Sequence, residues 1–68
     1  MSQKLVYELL KALGGRATTA EIRKLAKEKY ADRSLHKNVH DRLRKLRAWG
    51  YINRNSRKEW FIVDEYPH

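Results

Sequence analysis

His36 and His40 stand four residues apart, the spacing that lets two imidazoles on one helix face share a metal ion. The set is incomplete. The chain has no cysteine, and no nearby carboxylate completes a site. At 100° per residue, His36 turns towards the apolar edge of its helix while His40 turns outward. No metal and no cofactor is expected. Catalytic arrangements are equally thin. Gly14-Gly15 lacks the lysine and the strand context of a phosphate loop. The acids are scattered, with no carboxylate cluster to hold magnesium, and no nucleophile has a base beside it. The expectation is a protein that is not an enzyme and has no small-molecule ligand.

The residue types do suit contact with a polyanion. Sixteen Lys and Arg face eight Asp and Glu, a net charge of +8. A balance this basic fits nucleic acid or an anionic membrane surface. The charge is also concentrated. Residues 34–58 hold eight cations against one acid, Asp41, or +7; residues 1–33 carry +4 and residues 59–68 carry −3. The densest stretch, SLHKNVHDRLRKLRAWGYI, runs from Ser34 to Ile52. Leu35, Val39, Leu43 and Leu46 recur within it at i, i+4, i+8 and i+11, the stripe of an amphipathic helix. The opposite face carries Lys37, His40, Asp41, Arg44 and Ala48. Asn38 and Lys45 flank it on one side and Arg47 on the other, while Arg42 lies nearer the apolar edge. This face is one helix wide, and the major groove of B-DNA, about 12 Å across, admits one helix. Lys and Arg can donate to guanine O6 and N7, Asn38 can pair bidentately with adenine, and His40 can donate or accept. Asp41 sits four residues from both Lys37 and Lys45, where bracing them suits it better than facing phosphates.

The elements that must hold this face in place follow from the rest of the pattern. At 68 residues the chain is expected to form one domain, residues 1–68, mainly α with a small β-hairpin. A domain this small buries only about 60% of its unfolded surface. A first helix is predicted over about 2–13. Leu5, Val6, Leu9, Leu10 and Leu13 line one side, and Gly14-Gly15 stops it. A second is predicted over about 19–30, opened by the capping box Thr18-x-x-Glu21, with Ile22, Leu25, Ala26 and Tyr30 inward. The third is predicted over about 35–49, capped by Ser34 in preference to Asp32 and closed by Gly50. A hairpin spans about 51–63, with Asn53 to Lys58 as its turn, and the tail 64–68 has no pattern. Trp49 borders the apolar stripe and Trp60 alternates with Ile62, so both are expected in the core. Tyr7 and Phe61 fall off the main stripes and are candidates for a homodimer contact.

Helix, short turn, helix, turn, longer basic helix and then LRKLRAWGYINRNSRKEWFIV resembles the winged helix-turn-helix domain. The resemblance covers about Leu5 to Val63. It implies that the third helix enters the major groove, that the hairpin is a wing on the DNA backbone, and that the second helix packs across the third with its N-terminus near a phosphate. Carried onto this chain, Lys37, Asn38, His40, Arg44 and Lys45 become base contacts. Thr18, Thr19, Ser34, Arg47, Arg54, Arg57 and Lys58 become contacts to the DNA backbone. The implied function is sequence-specific binding of double-stranded DNA by a transcriptional regulator, and a homodimer would read two half-sites. The alternatives are a protein- or RNA-docking module of the same fold, or a sequence-blind nucleoid protein. No segment reaches the ~18 apolar residues of a membrane span. The absence of cysteine fits a reducing interior. The expected location is the cytoplasm, on the nucleoid, or the host cytoplasm for a viral protein.

Overall fold

A computed structural model describes residues 2–30 and 33–67; for Ser2 and residues 33–36 it describes the backbone alone. The chain forms a small α+β fold of three helices and a three-stranded antiparallel sheet. Helix α1 spans Ser2–Ala12, strand β1 Arg16–Thr18, helix α2 Thr19–Lys29, helix α3 Arg33–Ala48, strand β2 Ile52–Arg54 and strand β3 Glu59–Ile62. No described helix is long and apolar enough to cross a membrane.

The apolar stripes become one core. Val6, Leu9 and Leu10 of α1, Ile22 and Ala26 of α2, and Val39, Leu43 and Leu46 of α3 are buried together, joined by Ala17, Ile52 and Trp60 of the sheet. Leu13, Leu25 and Tyr30 pack on its edge. Helix α3 packs against both α1 and α2, so its buried side is fully used and its other side is left to solvent.

Helices α1 and α3 both end at glycines. At the end of α3, the Gly50 amide donates to the Arg47 carbonyl at 3.0 Å and the Tyr51 amide to the Leu46 carbonyl at 3.1 Å. This is a Schellman closure, and it needs the left-handed φ of +88° that Gly50 adopts. Gly14, at φ +87°, closes α1 the same way, with Gly15 donating to Leu10. The Gly50 turn leads into β2, whose Ile52 is buried in the core.

Strand β3 lies between β1 and β2. Strand β1 is a third strand where the sequence predicts a two-stranded hairpin; its last residue, Thr18, is also the expected cap of α2. An isolated two-stranded hairpin is marginal in water, and the third strand supplies the missing pairing. The register sets Ala17, Trp60 and Arg54 in one row across the sheet and Arg16, Phe61 and Asn53 in the next. Successive strand residues point to opposite faces. The first row therefore faces the core, where Ala17 and Trp60 are buried, and the second faces out, where Arg16 and Asn53 are exposed and Phe61 is half-buried.

Other expectations are also revised. Helix α3 begins at Arg33, so Ser34 lies inside it and is not its cap; Asp32, the other candidate cap, falls outside the described residues. Trp49 is not in the core: it is 54% exposed, because the helix ends beside it and the chain turns away. Tyr7 is buried and is not a free dimer contact. Its hydroxyl donates to the Asp64 carbonyl at 3.0 Å, and its ring lies 5.6 Å from Tyr66. Tyr66 also meets Tyr51 at 5.1 Å, so the tail that showed no sequence pattern is anchored by three tyrosines.

Candidate nucleic-acid interface

Helix α3 has two sharply different sides. Val39, Leu43 and Leu46 have no exposed surface, whereas Lys37, Asn38, Asp41, Arg44, Lys45, Arg47 and Ala48 are all exposed. At 1.5 Å per residue its 16 residues span about 24 Å. The Ala48 methyl is short, and it leaves an open hollow between Asp41, Arg44 and Lys45. Asp41, Lys37 and Lys45 are each exposed on this face, the acid four residues from either lysine. The side chains of Leu35 and His36, and of Ser34, a backbone-contact candidate, lie outside the described residues.

The hairpin turn brings a second cationic group. The Lys58 amide donates to the Asn55 carbonyl at 3.1 Å, and the Asn55 amide donates to the Glu59 carbonyl at 3.0 Å. The Asn55 side chain organises the loop, accepting from the amides of Arg57 at 2.9 Å and Glu59 at 3.0 Å and donating to the Glu59 carboxylate at 3.0 Å. Arg57 and Lys58 project from this ordered turn and are exposed. Lys58 has φ +64°, a left-handed position usually given to glycine.

Four of the sequence-derived site residues are engaged inside the protein. Thr18 caps α2: its hydroxyl accepts from the Glu21 amide at 3.2 Å while the Glu21 carboxylate accepts from the Thr18 amide at 2.9 Å. The protein's own carboxylate thus takes up part of the anion-attracting capacity of that helix end. Thr19 turns inward, where its Oγ1 accepts from the Trp60 indole Nε1–H at 2.9 Å and lies 3.3 Å from His40 Nδ1. His40 is half-buried and not fully outward, with its ring edge-on to Trp60 at 5.8 Å and 70°. The Arg54 guanidinium lies over the Trp60 ring, 4.6 Å from the centroid. Among the described residues its Nε is buried with no hydrogen-bond partner. Arg54 therefore belongs to the junction of sheet and helix and not to the tip of the hairpin.

Trp60 is the residue whose importance was least visible beforehand. It is 1% exposed, is the cross-strand partner of both Ala17 and Arg54, and touches Thr19 and His40. Its alternation with Ile62 marked a core residue. Nothing in spacing marks a hydrogen bond across 41 positions. Among the described residues, no group of three or more His, Asp or Glu side chains comes together to hold a metal ion. No protein family, curated protein or solved structure matches the chain.

Proposed function

We propose that this is a winged helix-turn-helix protein that binds double-stranded DNA with sequence preference and acts as a transcriptional regulator. The observation that carries the reading is the two-sided third helix. It has a fully buried leucine–valine seam, opposite a cationic, donor-rich face the width of one helix. Lys37, Asn38, His40, Arg44 and Lys45 read base edges from that face. Arg47, Arg57 and Lys58 neutralise phosphates, the last two from the wing formed by β2, β3 and their turn. Counterion release by these cations gives most of the affinity, and the groove contacts give the choice of site.

The remaining sequence-derived contacts take supporting places in this reading. Thr18 and Thr19 hold the start of α2 and steady α3 from behind, and Arg54 packs the wing onto the helix junction through Trp60. Helix α2 packs against α3, and strand β2 also contacts α3. In this reading helix and wing approach one duplex together.

The test is to compare wild type with Arg44→Ala and Arg57→Ala on preferred and random duplexes across salt. Arg44→Ala is expected to cost about 1–3 kcal/mol on the preferred site and to flatten base preference. Arg57→Ala is expected to weaken all duplexes about equally and to reduce the salt slope by about one. Equal losses for both variants on every sequence would overturn the division into reader and positioner. They would favour a sequence-blind nucleoid protein instead.

A further inference from the structure

We propose that Thr19 and Trp60 act as positioning residues that fix His40 as a one-way hydrogen-bond donor on the face of α3. The consequence for base choice rests on the groove reading above; the hydrogen-bond relay is a property of the free protein.

An indole N–H can only donate, and that of Trp60 is directed at Thr19 Oγ1 at 2.9 Å. The hydroxyl accepts that bond on one of its two lone pairs and has a single hydrogen to give. Among the described residues the other polar group hydrogen-bonded to it is His40 Nδ1, at 3.3 Å, the acceptor available for that hydrogen. A neutral imidazole has one nitrogen that donates and one that accepts. If Nδ1 takes the hydroxyl hydrogen, Nε2 must carry the ring hydrogen. The chain of bonds is then Trp60 Nε1–H to Thr19 Oγ1–H to His40 Nδ1, with Nε2–H as the ring's free group.

Three further contacts hold this arrangement. The Trp60 ring meets His40 edge-on at 5.8 Å, which fixes the imidazole plane. Arg54, directly across the sheet from Trp60, covers the indole face. Thr19 is the first residue of α2 and is held in register by the capping box of Thr18 and Glu21. The wing strands, the start of α2 and the groove face of α3 thus meet at one joint.

A ring locked in this form selects its partner. It donates to guanine N7 or O6, adenine N7, thymine O4 or a phosphate oxygen. It cannot accept from the N4 amino group, which is what cytosine shows in the major groove. At the base position His40 meets, cytosine is disfavoured by about tenfold, the scale of one well-placed contact. That position is identified as the one whose preference changes in H40A.

The test is a long-range proton–nitrogen NMR correlation of the full, labelled chain at a pH where the ring is neutral. The expected result is a single Nε2–H form for His40 in wild type. T19V is expected to show a second, Nδ1–H form. W60F is expected to raise that form as well, because the hydroxyl, no longer oriented by the indole N–H, can turn its hydrogen away from the ring. An Nδ1–H form in wild type, or a mixture unchanged by T19V, overturns the proposal. Duplex selection with T19V separates the two ideas. If wild type binds a motif and T19V keeps the same discrimination against cytosine, the positioning claim fails and the groove reading stands. If the relay is present and no duplex is bound, the groove reading fails and the relay stands.

Discussion

The joint at Trp60 makes a quantitative prediction about stability. Thr19→Val keeps the shape of the side chain and removes the acceptor that the Trp60 Nε1–H has among the described residues; Trp60 is 1% exposed. A buried donor left without a partner costs about 1–3 kcal/mol. For a domain of this size each kcal/mol moves the melting temperature by roughly 4–8 °C, so Thr19→Val is expected to melt roughly 5–20 °C lower. Trp60→Phe removes the donor and part of the ring, and leaves a cavity. Once the donor is gone, the valine has nothing to leave unpaired. The double variant should therefore cost less than the sum of the singles by about 1 kcal/mol. Urea denaturation of the four proteins measures this cycle directly, and hydrogen exchange of the Trp60 indole follows the same bond. The reasoning is refuted if Thr19→Val lies within ~0.3 kcal/mol of wild type, or if the two single costs simply add.

The remaining predictions use other parts of the fold. Gly50→Ala is expected to destabilise by about 1–2 kcal/mol through backbone strain alone, since φ is +88° and an added Cβ would meet nothing within 4 Å; urea midpoints test it. Lys58→Gly relieves a left-handed φ of +64° and is expected to stabilise by roughly 0.5–1 kcal/mol in the same assay, while lowering the salt slope of duplex binding by about one. Trp60→Ala should cost about 3–5 kcal/mol, against less than ~0.5 for the exposed Trp49→Ala; acrylamide should quench the emission of Trp49 and spare that of Trp60.

The parts of this fold that were legible in the sequence are those made by neighbours in the chain. The seam of Val39, Leu43 and Leu46 follows from spacing, and so does the exposure of Lys37, Arg44 and Lys45 opposite it. The capping box of Thr18 and Glu21 and the glycine end of α3 are also local. What escaped was made by residues far apart. Strand β1 has three residues and no alternation to read; it is a strand because β3 lies beside it. Tyr7 sits off the stripe of α1, and it is buried because Asp64 and Tyr66 return from the other end of the chain. Trp49 sits on the edge of the apolar stripe, but the Schellman turn ends the helix there and leaves the ring past the core. His40 points outward on a wheel, yet a tryptophan from the sheet reaches its flank. The cationic face was therefore readable from composition and period, and the contacts that orient it were not.

The central claim is that the outer face of α3 chooses a DNA site. The most direct measurement is selection from a random duplex pool, with the affinity of the winners followed as salt is raised. The account predicts a converged motif whose binding weakens with salt and whose base preference is lost in Arg44→Ala. A pool that never converges, or a protein that binds no duplex even at low salt, would contradict it.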